Sequence, residues 1–175
     1  RRRKILNGVV DTNEQVYDIL INEVTEIATQ AVSEDEKGQD KSPSEIVKEF
    51  STILPIDDAS SKKLANDVES LSDEDIARLL LSHVDRVYKE RKERIGEEIM
   101  KEVEQWVTLS VIDFLWMSHI DSLTDLREGI GLRGYAQKDP LVEYKNEAFI
   151  MFEQLLASID FDIARRILRV DVKVQ

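Results

Sequence analysis

The chain has 175 residues, of which 42% are hydrophobic and 34% charged, and 36 acidic against 24 basic residues give a formal net charge of −12. This composition predicts a folded domain with its own core rather than a disordered chain. The lack of cysteine excludes disulfides, thiolate metal sites and a cysteine nucleophile. Two histidines, His83 and His119, are too few for a multi-histidine metal site, and the acidic balance argues against a nucleic acid as partner.

The sequence also bears on membrane insertion and targeting. No apolar run approaches the ~20 residues that a membrane-spanning helix needs. The opening Arg-Arg-Arg-Lys is not followed by the apolar stretch of a signal peptide. We therefore expect a cytoplasmic protein.

Apolar residues at steps of three and four predict helices in the first half of the chain. The first helix is expected over residues 5–31, and the polar, glycine-containing stretch 33–41 is expected to be a loop. Ser42-Pro43 with Glu45 has the spacing of a capping box and places proline just inside the start of a short helix through Phe50. A second short helix is expected over about 61–71.

The second half of the chain predicts two long helices. Ser72 and an acidic first turn begin a helix. The charged stretch 88–98 is either a solvent-crossing helix or a break, and we expect a continuous or gently bent helix there. From Ile99 onwards an apolar stripe is broad enough to face a partner helix throughout; it includes Val103, Trp106, Val107, Ser110, Phe114, Met117, Ile120, Leu123 and Leu126. Two glycines at 129 and 131 predict the end of this helix. Asp139-Pro140 predicts the start of a last helix to about Leu168, and the pair forms an antiparallel hairpin.

Few side chains suggest catalysis. His119 lies near Asp113 and Asp121 in the sequence, which permits an acid–base hypothesis, but a lone histidine at a helix seam more often makes a local hydrogen bond. Trp106 and Trp116 are predicted to anchor the core, so that Trp116→Ala would cost about 3–5 kcal/mol if the side chain is buried. The glycines at 129, 131 and 134 follow no strand and precede no Lys-Ser/Thr pair, so no nucleotide-binding loop is predicted.

The connector between the two long helices is a candidate contact site. Residues 131–138 place Tyr135, Arg133 and Lys138 at a hairpin tip, where they cannot serve a core between the two helices. Loops that are positioned by rigid elements often carry function. Two interpretations remain open at this point, since the tip either binds a partner or docks on the first helix of the same chain.

Several motifs of the second half resemble one known family. The run from Leu126 to Pro140 reads LREGIGLRGYAQKDP and is followed by Glu-Tyr at 143–144 and Met-Phe at 151–152. Upstream, Glu-Gln-Trp-Val at 104–107 precedes Asp113, Trp116 and His119. Together these residues resemble the C-terminal region of the SecA family, the ATPase motors of bacterial preprotein translocase.

The resemblance is in register from about residue 84 to 170 and is sparser elsewhere. Over residues 1–30 it rests on three short segments, Arg2-Arg3, Ile5-Leu6 and Asn13-Glu14-Gln15. Gly-Val-Val-Asp at 8–11 stands where the family's acidic Tyr-Asp-Asp-Val is expected. Residues 31–83 match by position and helical character.

The resemblance implies an all-α fold with a long scaffold helix, a small helical wing lobe and an antiparallel two-helix finger. The first scaffold helix would occupy residues 1–30, the wing lobe 31–83, and the remaining scaffold helices 84–175, with the finger tip at about 130–139. Tyr135, flanked by Arg133, Gln137 and Lys138, would contact the translocating polypeptide. The residues that would shape the finger are Trp116, His119, Arg127, Asp139 and Pro140.

The resemblance also implies a function without catalysis by this chain itself. ATP and magnesium would be bound by nucleotide-binding domains of the parent motor, so we expect no cofactor or metal here. The expected partners are those nucleotide-binding domains, a SecYEG-type translocon and an unfolded preprotein, at the cytoplasmic face of the inner membrane. The alternative hypothesis is a free-standing acidic helical adaptor that binds a partner protein.

Overall fold

The computed structural model describes residues 5, 12–29, 42–133 and 139–172, without the side chains of 131–133. Within these ranges the chain is helical and contains no strand, so the predicted all-α class is confirmed. The predicted boundaries at residues 30 and 83 stay a prediction. The helices are α1 Thr12–Thr29, α2 Pro43–Ile53, α3 Asp58–Val68, α4 Asp73–Ile95, α5 Glu97–Arg133 and α6 Pro140–Ile167.

Side-chain caps begin four of these helices. Ser42 and Glu45 form the predicted capping box at α2, Ser72 caps α4, and Asp139 caps α6 with proline in its first turn. Asp57 was expected to end α2, but its Oδ1 accepts a hydrogen bond from the Ser60 amide at 2.8 Å and so begins α3 three residues early. This backbone hydrogen bond lowers the pKa of Asp57 below its ordinary value.

Glycines divide the long helices differently from the prediction. The continuous helix expected through 88–98 is wrong, because Gly96 adopts a positive φ of 87° and ends α4. The end expected at 129–131 is also wrong, because α5 continues through Gly129 to Arg133. A glycine in a helix interior costs only about 1 kcal/mol relative to alanine. The first helix is seen as α1, and residues 6–11 and 30–31 of that prediction lie outside the described residues.

One core of buried apolar side chains joins the helices. Helix α1 lies at its centre, where Val16, Leu20 and Val24 are fully buried against α4, α5 and α6. Helices α2 and α3 form a small lobe that packs onto α1 and α6 through α2, with Phe50 fully buried. Because the Arg169 guanidinium donates a hydrogen bond to the Ser51 carbonyl, this lobe is tied to the end of α6.

Helices α5 and α6 form an antiparallel hairpin. Trp106, near the start of α5, lies in one pocket with Arg165, near the end of α6. Trp116, ten residues further along α5, instead lies with Phe152 of α6. The base of the hairpin is therefore next to α1 and α4, and its distal half extends away from the core.

Candidate interaction surface

Helix α5 has both buried and exposed apolar side chains. Val107 and Val111 are buried in the core. Trp106 is 61% exposed, and Phe114 and Met117 are each 66% exposed, although Phe114 lies seven residues after Val107 on the same face. The stripe predicted to face a partner helix is therefore covered only in part: Val107 is buried, whereas Trp106, Phe114 and Met117 are exposed. A helix that is apolar around most of its circumference is typical of an element covered on all sides.

A groove between α5 and α6 extends this surface around the hairpin. Its volume is about 430 Å³, and it is lined by Ile112, Asp113, Trp116, Phe152, Leu155, Leu156 and Ile159. Further towards the tip, Phe149 and Leu141 of α6 are also more than half exposed. Exposed apolar patches of this extent mark interaction sites.

The two tryptophans are not core residues, which corrects the prediction. Trp106 is mostly exposed, and Trp116 is 45% exposed. The physical reason is that two helices alone can bury only the strip along which they touch each other. A tryptophan outside that strip needs a third element to cover it, and the described residues supply none at this place.

His119 lies at the seam of the hairpin, as predicted. It is 8% exposed, and its ring centroid lies 5.7 Å from that of Trp116 and 6.2 Å from that of Phe152. Asp113 and Asp121 are exposed, whereas His119 is buried, so the three side chains do not form the shared acid–base site of that hypothesis. Over the described residues no group of three acidic, histidine or cysteine side chains could hold a metal. In the same part of the chain no helix is long and apolar enough to span a membrane.

The other predicted site residues lie at or near the tip. Arg127 is exposed on α5, and the Asp139 side chain accepts a hydrogen bond from the Leu141 amide at 2.8 Å at the start of α6, directly before Pro140. Tyr135, Gln137 and Lys138 lie outside the described residues, as does the side chain of Arg133. Their contact with a substrate polypeptide stays a prediction.

A buried polar cluster at the base of the hairpin was missed by the sequence analysis. Glu104 of α5 is 0% exposed, and it accepts hydrogen bonds from the Tyr88 hydroxyl of α4 and the Asn13 amide of α1. Asn13 also donates to the Tyr88 hydroxyl at 2.7 Å. The sequence did contain a signal for the burial of Glu104. This residue precedes Val107 and Val111 by three and seven residues and therefore lies on the same buried face of α5.

Charged and phenolic groups join the remaining helices. Arg165 of α6 pairs with Glu23 of α1 at 2.7 Å, and its guanidinium lies 3.2 Å from the centroid of the Phe161 ring. Tyr17 of α1 donates a hydrogen bond to Asp85 of α4. This hydrogen bond, with a smaller contribution from burial, raises the pKa of Tyr17.

Arg91 of α4 binds the end of α6. Its guanidinium donates to the Leu168 carbonyl at 3.1 Å and to the Val170 carbonyl. Burial lowers the pKa of Arg91, the nearby charge of Arg94 lowers it further, and Asp171 partly offsets both. Cations stabilise a helix C-terminus because its last carbonyls carry partial negative charge.

The fold and its surfaces define a helical interaction domain, built as a scaffold with a small lobe and a long hairpin. A family model described as the SecA Wing and Scaffold domain matches residues 1–171. The chain belongs to this family.

Similar proteins carry the name "Protein translocase subunit SecA". The one from Symbiobacterium thermophilum is 36% identical over 179 residues, which covers 95% of this chain and 19% of that protein. The one from Thermodesulfovibrio yellowstonii is 32% identical over 160 residues, covering 91% of the chain and 17% of the relative. The one from Desulforudis audaxviator is 46% identical over 99 residues. The chain thus spans roughly a fifth of the length of the relatives that it matches along most of its own length.

Proposed function

We propose that the chain is the scaffold and wing part of a SecA-type motor for preprotein translocation. The observation that carries the proposal is the exposed apolar surface of the distal half of the hairpin, which includes Phe114 and Met117 of α5. Family membership supplies the context, since similar proteins are named translocase subunits. We assign the exposed apolar surface to contacts with the nucleotide-binding domains of the parent motor.

In this proposal the chain transmits movement and performs no chemistry itself. ATP and magnesium are bound by the nucleotide-binding domains, and the packed base of the hairpin carries their displacement to the tip. Glu23 with Arg165 and Asn13 with Glu104 hold α1 to both helices of the hairpin. Coupling through such rigid packed elements needs no catalytic residue in this chain.

The tip is the proposed contact for the unfolded preprotein, at a SecYEG-type translocon on the cytoplasmic face of the membrane. Tyr135 offers an amphipathic ring that binds an extended chain with little sequence preference. Arg133, Gln137 and Lys138 flank it in the sequence. Asp139 supports this role by starting α6 directly after the tip.

The contact with the motor is tested by titrating the chain into a SecA motor core truncated before its scaffold. We expect a complex and a changed rate of ATP hydrolysis. Met117→Glu should weaken the complex at least tenfold, because the side chain is exposed here and would become buried. Ser82→Glu, exposed on α4 and outside the hairpin, is the matched control. A complex that both variants form equally well would contradict the assigned surface, and a folded chain without any complex would favour an adaptor.

The role of the tip is tested separately by Tyr135→Ala in the parent motor. Translocation should fall severalfold while the helical content of the chain stays unchanged. Tyr135→Phe retains the ring and should retain most of the activity. Full translocation by the alanine variant would show that this residue does not contact the preprotein.

A further inference from the structure

One face of α4 holds both helices of the hairpin. Val84, Tyr88, Arg91 and Ile95 are buried at steps of four, three and four residues along α4. The two outer positions are apolar, and the two inner positions are polar. Tyr88 donates to Glu104 of α5, and three residues later Arg91 donates to the Leu168 carbonyl at the end of α6.

These polar contacts constrain the angle between α4 and the hairpin more closely than apolar packing does. Burial of apolar surface is non-directional, and the packing of side-chain ridges into grooves leaves a scatter of about 15–20° in helix crossing angles. A buried carboxylate such as Glu104 requires its donors at defined positions, because leaving it unpaired is costly. Its donors come from two other helices, Tyr88 of α4 and Asn13 of α1. The angle between α5 and these helices is therefore tied to this hydrogen-bonded cluster.

Gly96 provides a pivot beside the cluster. It is the single residue between α4 and α5, and its φ is 87°. Apart from its two chain neighbours, no atom lies within 4 Å of the position that a Cβ would occupy there. Gly96 is therefore not held by packing at this position, and a change of its dihedrals would turn α5 about this point against the buried contacts of Met100, Glu104 and Val107.

Because α5 is long, a small rotation about Gly96 produces a much larger displacement at the end of α5 than at Glu104. At 1.5 Å per residue, Glu104 lies about 12 Å from Gly96 and Arg133 about 55 Å from it. A displacement of 1 Å at Glu104 thus becomes about 4–5 Å at the end of α5. Small changes in the cluster would have large effects at the tip.

We infer that the junction of α4 and the hairpin is a hinge with a latch. Gly96 is the hinge, and the latch consists of Tyr88, Glu104 and Asn13, with Arg91 holding the second helix. Release of the latch lets the hairpin change its angle to α1 and α4 while both parts stay folded. This inference rests on the contacts of this chain and does not depend on the proposed function.

The hinge is tested by distance measurements between spin labels. The chain has no cysteine, so introduced cysteines are the only attachment points. Asn22→Cys on α1 and Glu128→Cys near the end of α5 are both exposed and report the angle of the hairpin. Glu128→Cys with Lys145→Cys on α6 reports the hairpin by itself and is the internal control.

Tyr88→Phe removes one hydroxyl of the latch and retains the ring. We expect the α1–α5 distance distribution to broaden or shift by about 4 Å, because Glu128 lies about four times as far from Gly96 as Glu104 does and 1 Å of relaxation at Glu104 is multiplied by that ratio, while the α5–α6 distance stays constant. An unchanged α1–α5 distribution would overturn the inference. Equal changes in both distances would overturn it too, because the hairpin itself would then deform.

Gly96→Ala tests the pivot with the latch intact, and it serves equally if the Tyr88 variant does not fold. An alanine at a φ of 87° is strained although no atom obstructs its Cβ. The α1–α5 distance should therefore shift. Gly129→Ala is the matched control, since Gly129 has equally open surroundings but lies within α5, and it should leave the distance unchanged.

Discussion

The base and the distal half of the hairpin are made of the same two helices, yet they differ in what covers them. At the base Val107, Val111 and Ile163 are buried under α1 and α4. In the distal half Trp116 and Phe149 continue the apolar pattern, but they are largely exposed. The apolar pattern of a helix therefore does not show which part of the helix is covered within the same chain.

The largest expected effect is a difference in the free energy of unfolding between two variants on one face of α6, one at the base and one in the distal half. Ile163 is fully buried, and Leu156, seven residues earlier on the same face, is 42% exposed. Ile163→Ala should lower the free energy of unfolding by about 2–5 kcal/mol. Leu156→Ala should lower it by about 1 kcal/mol, because much of that side chain is in water already. Urea unfolding of both variants measures the difference, and equal losses would contradict the described burial.

A smaller effect is expected at the boundary between the two halves. Trp116 contacts His119 but is 45% exposed. Trp116→Ala should therefore cost about 1–2 kcal/mol, below the ~3–5 kcal/mol of a fully buried tryptophan. Phe114→Ala, at an exposed position of α5, is the control and should change stability by less than ~0.5 kcal/mol. A loss at Phe114 as large as at Trp116 would mean that Phe114 is covered within this chain.

The smallest expected effect is the pH dependence of stability that Tyr17 causes at the base of the hairpin. Because the pKa of Tyr17 is raised by Asp85, the folded state binds this proton more tightly than the unfolded state. The contribution of Tyr17 to stability is fully present below its ordinary pKa of about 10 and is lost as the pH rises through the higher folded value. Tyr17→Phe should flatten the fall in the urea midpoint above about pH 10.

Asp85→Asn is the companion variant for this titration. It removes the neighbouring negative charge and should return the pKa of Tyr17 towards its ordinary value. The absorbance of ionised phenol reports all four tyrosines, so the titration of Tyr17 is obtained as the difference from the matching protein that also carries Tyr17→Phe. A Tyr17 titration that is the same in both proteins would show that the Asp85 contact does not form in solution.

The sequence by itself determined the local features of the fold. The capping box at Ser42, the cap at Ser72 and the Asp139-Pro140 start follow from side chains that bind amides within three residues. The all-α class and the hairpin follow from periodicity, and the family follows from the motif around the tip. All of these are short-range patterns along one chain.

The tertiary structure alone decided which apolar side chains are covered and where the helices divide. Periodicity identified the stripe with Trp106, Val107 and Met117 but could not show that only Val107 of these three is buried. Gly96 and Gly129 look alike in sequence, yet one ends a helix and the other lies within one. Glu104 meets Tyr88 and Asn13 across 16 and 91 positions of the chain. Burial and polar pairing depend on such distant neighbours, which a pattern of adjacent residues does not contain.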